Sequence, residues 1–316
     1  MMNKKNLPHI ITVVSFVVFI VLGVASASNS KAVKAAASID EVTGLADKLA
    51  WLRNNAESGG NYILEVDTDE RINAGLTKDG NLSFKDKSNI TITLRGIGGN
   101  RTIISPDYPP KGELFSVGSG VTLILDENIT LHGIRTELLR HAPNTASVVG
   151  VRSGGTLVMN DGSTITGGVN NAGDGGGVYV SGGGTFIMKG GTITGNICFP
   201  VADAAAVAAT DGKYTNIGDP GTYKGAGVYV RGGTFTKTGG TIYGYTGDSK
   251  SNMVRDFMGA NVSQNNGHAV YAHNPQGGIF VLANDPKLII KRKETTAGPE
   301  VNLHYSNGEF SGSWDY

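Results

Sequence analysis

Arg152 and Arg231 carry the most suggestive chemistry in this sequence. Each ends a copy of one short apolar phrase, VVGVR at 148–152 and GVYVR at 227–231. Ser181 takes the same place in a third copy, GVYVS at 177–181. A guanidinium is a planar fork of donors that matches a carboxylate or sulfate. Two of them on one outer column would therefore hold an anionic sugar. Threonines repeat in the same way. Thr164 and Thr166 precede Thr192 and Thr194, and then Thr241 and Tyr243. Such T-x-T rows occur where solenoids meet ice, but this ladder is short, Tyr243 interrupts it, and threonine also simply favours strands. Arg152, Arg231, Thr192, Thr194 and Tyr243 are the candidate ligand contacts.

Other chemistries find less support. A polysaccharide lyase needs clustered carboxylates around a hard cation and a positioned base. Here Asp126 and Glu127 fall in one repeat and Asp161 in another, while Asp174, Asp203, Asp211 and Asp219 fall in connecting segments. A glycosidase needs two opposed carboxyls, and no such pair stands out. His268 and His273 have no nearby acid or cysteine to complete a metal set. AGDGGG (172–177) occurs once, without the period of calcium-binding nonapeptides. Cys198 is the only cysteine, set in the apolar run NICFPV. It forms no internal disulfide and is expected to be a small buried hydrophobe. No cofactor and no catalytic residue is implied. Basic and acidic residues balance at 27 each, so no charge excess points to nucleic acid.

The elements that position these residues are repeats. GVYVSGGGTFIMKGGTITGN (177–196) returns as GVYVRGGTFTKTGGTIYGY (227–245). Weaker copies lie at 148–168, 114–133 and 267–283, and a first turn is read at 82–96. Within a copy, three short β-rich runs follow one another between glycines, as one turn of a three-faced coil. Side chains alternate across a strand, so four inward columns are predicted. They are Val149, Val178 and Val228; Val117, Val151, Val180 and Val230; Leu123, Leu157, Phe186 and Phe235; and Ile129, Ile165, Ile193 and Ile242. Met159 and Met188 continue the second strand inward. Lys237 occupies the equivalent place in the next copy, where it is expected to reach solvent at a turn. The apolar period is two rather than 3.6, which excludes a helical solenoid. The fold predicted is all-β, a parallel β-helix of about five or six coils.

Solenoid ends need covers. Residues 38–55 are predicted as an amphipathic capping helix begun by Ser38 or Asp40, with Val42, Leu45, Leu49 and Leu52 on its apolar face. The strand YILEV (62–66) follows. LIIKRK (288–293), VNLHY (301–305), Trp314 and Tyr316 are expected to seal the other end. Segments 134–147, 197–224 and 244–266 are predicted as inserted loops. Before all this, Lys4 and Lys5, an apolar run from Ile10 to Val24 and Ala25-Ser26-Ala27 have the order of a cleaved export signal, residues 1–27. The run is short for a membrane span. The remainder, 28–316, is expected to be one exported domain, outside the cell or in its envelope, with no stable membrane insertion.

The phrases GGGVYV, GGTF and GGTITGN resemble the right-handed parallel β-helix proteins of the pectate-lyase-like superfamily. With LAWLRNNAESGGNYILEV and AGPEVNLHYSNGEFSGSWDY, they resemble more closely the multicopy glycine-rich repeat proteins of host-associated spirochaetes. A distant similarity reaches the polymorphic outer-membrane protein repeats, although a recurrent FxxN is missing here. The resemblance implies right-handedness and transfers no activity. It leads us to expect an adhesin-like protein binding host glycan or extracellular matrix protein. A carbohydrate-active enzyme and an envelope structural protein are the alternatives.

Overall fold

Three short strands make each coil, and six coils stack. The computed structural model describes residues 38–73, 79–104, 112–133, 146–170, 173–199, 224–244, 248–255 and 268–273. Beyond these it describes five strands, Ile279–Val281, Ile289–Arg292, Leu303–Ser306, Glu309–Ser311 and Trp314–Asp315. Residues 1–37, which include the expected export signal, Tyr316 and the greater part of each predicted insertion (134–145, 200–223, 245–247 and 256–266) lie outside the described residues.

Sheet A stacks Asn61–Val66, Ile90–Gly96, Val121–Leu125, Thr156–Met159, Thr185–Met188 and Thr234–Lys237, all parallel. Sheet B stacks Glu70–Arg71, Arg101–Ile104, Ile129–His132, Thr164–Thr166, Thr192–Thr194 and Thr241–Tyr243. Sheet C stacks Asn81–Leu82, Phe115–Val117, Val149–Val151, Val178–Val180, Val228–Arg231 and Val270–His273. The chain visits A, B and C in turn, as a right-handed parallel β-helix. The first coil opens at Asn61, one sheet A strand earlier than the turn read at 82–96. A short sheet D, Val169–Asn170, Ile197–Cys198 and Met253–Val254, fills the corner between B and C in the later coils. Two of the predicted insertions therefore contain coil: Ile197–Cys198 and Met253–Val254 are strands, because their apolar side chains close the corner.

Glycine recurs because one turn position demands it. Between sheets C and A, Gly120, Gly154, Gly183 and Gly232 all have φ of 70–76°. Asn89 takes this place in an earlier coil at φ 57°. Side-chain-bearing residues seldom adopt that region, and glycine and asparagine do so most readily.

The inward columns match the alternation. Val149, Val178 and Val228 are in register, as are Leu123, Leu157, Phe186 and Phe235, and all are fully buried. The rings of Phe186 and Phe235 stack at 5.1 Å. Each such side chain contributes about 1.5–3 kcal/mol by burial. One column is corrected. Ile165 pairs with Leu131, not Ile129, which pairs with Arg101. The slip is two residues, so parity holds and Ile129 is buried all the same.

Lys237 is the second correction. Its register with Met188 is as predicted, but the side chain is fully buried and Nζ donates to Gly240 O at 2.7 Å. Burial pushes its pKa down to about 6. Leu303–Ser306 runs antiparallel along Thr234–Lys237 and places Leu303 opposite Lys237. Ile289–Arg292 closes sheet B in the same sense, with Trp314–Asp315 outside it. Ile279–Val281 turns back on Val270–His273, so the 267–283 copy supplies a sheet C strand but no parallel sheet A strand.

The N-terminal cover is shorter than predicted. A 3-10 turn, Ile39–Glu41, precedes α1, Leu45–Asn55. Gly44, at φ 80°, separates them, so neither Ser38 nor Asp40 caps the helix. Glu70 of the first coil accepts the Leu45 N–H at 3.1 Å instead. Leu45, Leu49 and Leu52 are buried at the open end of the core, while Val42 lies outside the helix.

At the corner after sheet B, two asparagines satisfy the turning backbone. Asn252 Oδ1 accepts from the Asn196 N–H and Nδ2, at 3.0 and 2.9 Å. Asn196 Oδ1 accepts from Gly168 N, and Asn252 Nδ2 donates to the carbonyls of Ile193 and Tyr243. Both side chains are buried, so these bonds meet groups that water does not reach.

Candidate functional site

The sequence-derived contacts fall into two separate groups. Thr192, Thr194 and Tyr243 lie on the outer face of sheet B, whereas Arg152 and Arg231 end strands of sheet C. The threonine ladder is longer than the sequence suggested: Thr102, Thr130, Thr164, Thr192 and Thr241 are in register. A second ladder, Thr91, Thr122, Thr156, Thr185 and Thr234, runs along sheet A. The sheet B row is partly engaged. Thr194 Oγ1 donates to Lys250 O at 2.7 Å, and Lys250 Nζ lies 5.8 Å from the Tyr243 ring.

Sheet C concentrates the chemistry. Arg152, Ser181, Arg231 and His273 follow one another at the strand ends, as the pairing of Val151 with Val180, Val180 with Val230 and Arg231 with His273 requires. Successive coils are about 4.8 Å apart, so the two arginines stand about 10 Å from each other along the stack. Arg231 is exposed, and the Arg152 side chain is 40 % exposed.

Beside this column runs an outward row that changes from coil to coil: Asn81, Ser116, Gly150, Tyr179, Tyr229 and Tyr271. The tyrosine rings adjoin: Tyr179 and Tyr229 are tilted at 33° with centroids 5.5 Å apart, and Tyr229 and Tyr271 stack at 5.7 Å. Tyr179 is half-buried, while Tyr229 and Tyr271 are buried. The polar ends of Tyr179 and Tyr229 find charged partners, whereas the buried Tyr271 hydroxyl has no hydrogen-bond partner among the described residues. The Tyr179 hydroxyl pairs with Arg231, which holds that guanidinium firmly charged. The Tyr229 hydroxyl pairs with Asp174; burial first, and then that carboxylate, push the Tyr229 pKa far up. Lys224 Nζ sits 4.9 Å above the Tyr271 ring.

Two carboxyls accompany the row. Burial raises the Asp174 pKa against the opposing pull of Tyr229 and Lys224. Burial likewise raises that of Glu113, against Arg152 and Ser116. Arg152 Nη2 bonds Glu113 Oε1 at 2.5 Å, and Arg152 Nε reaches Ser116 Oγ at 3.3 Å. The sequence put Asp174 among scattered acids and did not single out Glu113. Stacking brings both to one sheet. The recurrent V-Y-V phrase was the available signal for the tyrosine row.

The remaining candidates are structural. Cys198 is fully buried with Ala226 and Val254, and burial raises its thiol pKa well above the ordinary value. His268 accepts the Val254 N–H through Nδ1 at 3.0 Å, and burial lowers its pKa to about 4. Among the described residues no three His, Cys, Asp or Glu side chains converge on a metal position.

No protein family matches the chain, and no curated protein or solved structure matches it either. The coil architecture is therefore established from the structure itself. The resemblance to spirochaete repeat proteins gains no support from these comparisons. No helix among the described residues is long and apolar enough to cross a membrane.

Proposed function

We propose that this chain is an exported, adhesin-like β-helix protein that binds an anionic glycan along sheet C. The observation that carries the proposal is the column of half-exposed Arg152, half-buried Ser181 and exposed Arg231, in register along sheet C beside the half-buried ring of Tyr179. Guanidinium groups meet sulfate or carboxylate through paired charge-assisted hydrogen bonds. An amphipathic tyrosine presents a flat apolar face to a sugar ring and a hydroxyl to its substituents. Equivalent groups recurring at coil spacing suit a polymer with its own repeat. Export rests on the leader-like order of residues 1–27. A panel of sulfated, uronate and neutral polysaccharides tests this reading. Retention of the purified chain by the charged members, lost in Arg231→Gln, is the expected result. Equal retention by neutral members, or none by any, overturns it.

A second reading, cleavage of the bound glycan, has one observation in its favour: Glu113 and Asp174 are both carboxyls raised by burial on the binding face. Release of new reducing ends from a retained polysaccharide would support it. A polysaccharide that stays intact under prolonged incubation would exclude it.

A further inference from the structure

Glu113 lies beside the arginine column without being part of it. It precedes the strand Phe115–Val117, and its carboxyl reaches over the next coil into the space that Gly150 leaves open. Any side chain at 150 would collide with that carboxyl. There Glu113 is 5 % exposed. Oε1 accepts from Arg152, but Oε2, also buried, has no hydrogen-bond partner among the described residues. A buried, half-satisfied carboxylate is costly to keep charged, and protonation relieves that cost. Arg152 meanwhile points one face to solvent and the other to Glu113.

We infer that Glu113 is a proton-operated latch on the anion site: its protonation releases Arg152 to join Arg231 in holding a sulfate or carboxylate. The inference rests on the glycan-binding reading above. The raised Glu113 pKa agrees with the geometry, since burial outweighs Arg152 and Ser116. The sign follows. A carboxyl raised above its ordinary value takes up its proton at a higher pH than an ordinary glutamate, so acidification neutralises it earlier. The column then gains one net positive charge, and Arg152 loses its internal partner.

Among the described residues the neighbouring groups are few. Ser116, on the strand after Glu113, accepts from Arg152 and favours the charged carboxylate, and Arg152 is the charged group facing it from the next coil. Tyr179 takes the following position of the row. Asp174 lies further along it, against Tyr229, and His273 ends the column beside Arg231. An ordinary histidine gains charge between about pH 8 and 5, so His273→Gln serves as the common background.

The test measures binding of heparin, whose sulfates stay ionised throughout, at about pH 7.5 and about pH 5. Expected is a several-fold tightening of the parent on acidification. Glu113→Gln should bind at the higher pH as the parent does at the lower, and should no longer respond. Arg152→Gln should bind weakly at both. A Glu113→Gln protein with the parent's affinity and pH response overturns the latch while leaving glycan binding intact. If no protein binds heparin at either pH, glycan binding fails, and the latch is decided without a glycan. Carbon NMR of the labelled Glu113 carboxyl, assigned through Glu113→Gln, should then titrate above the ordinary glutamate value of about 4.3, and the Arg152 Nε–H resonance should move with it. Titration at or below that value, or an Arg152 signal indifferent to it, overturns the latch.

Discussion

The inside and the outside of sheet C obey different rules. Inward, Val149, Val178 and Val228 repeat without change, and Val151, Val180 and Val230 do the same. Outward, the same strands carry glycine, tyrosine and tyrosine at the middle position and Arg152, Ser181 and Arg231 at the end. A packed column tolerates little variation, because each side chain must fill the space its neighbours leave. The outward row, although several of its members are buried, has no facing core column to fill, so departures from repetition there reflect something other than core packing. The variable row is where partners and catalysis should be sought, and the constant columns are where stability should be sought.

Substitutions separate the two rules. The largest expected effect is inside: Phe186→Ala removes a fully buried ring stacked on Phe235. It should cost about 3–5 kcal/mol, read as a lower denaturation midpoint. Next comes the corner. Asn252→Ala leaves the Asn196 N–H and amide without their shared acceptor. A loss of about 1–3 kcal/mol for each buried group left unsatisfied is expected, and a melt within error of the parent would show that water replaces the side chain. Arg231→Gln belongs to the other rule. It should weaken anionic-glycan binding by about 1.5–3 kcal/mol, as for a charge-assisted hydrogen bond, and leave thermal stability within about 0.5 kcal/mol. Unfolding of Arg231→Gln at lower temperature would blur the comparison. Thr185→Val, on the outer face of sheet A, should change stability least, within about 0.5 kcal/mol.

Lys237 tests the boundary between the rules, being an outside residue type at an inside position. Its folded pKa, about 6, lies below the ordinary 10.5. Between these values the unfolded chain binds a proton that the folded chain does not, so stability should rise with pH across that window. Lys237→Met restores the residue of the preceding coil, Met188. It should stabilise the protein near neutrality and flatten the pH dependence of its melting. A slope unchanged by the substitution would assign the dependence to other groups.

Much of this fold was legible because two signals agreed. Alternation assigned inward residues, and glycine at the turn between sheets C and A marked where each strand had to stop. Where only one signal operated, errors entered. Ile129 and Leu131 both satisfy alternation, so nothing in the pattern chose between them as the partner of Ile165. The helix start was misplaced because Gly44 halts a pattern that the leucines alone would continue. Lys237 was placed in the right column but in the wrong environment, since the pattern fixes which way a side chain points and not whether it reaches water. The site was the least legible part. Glu113 precedes a strand and fills the gap at Gly150, a relation that exists only once two coils are stacked. The arginine column could be read because it shares the repeat's period.

The reversal of direction at the C-terminal end also bears on how such a molecule changes length. Leu303–Ser306 and Ile289–Arg292 lie antiparallel on the last sheet A and sheet B strands, so a further coil of the repeating kind has no parallel template there. At the other end, α1 covers the core. Growth by duplication is therefore directed to the interior, where a copied coil finds the same valines and glycines above and below it. Each such event would leave both termini untouched and lengthen the outward row by one rung, giving the binding face new positions to vary.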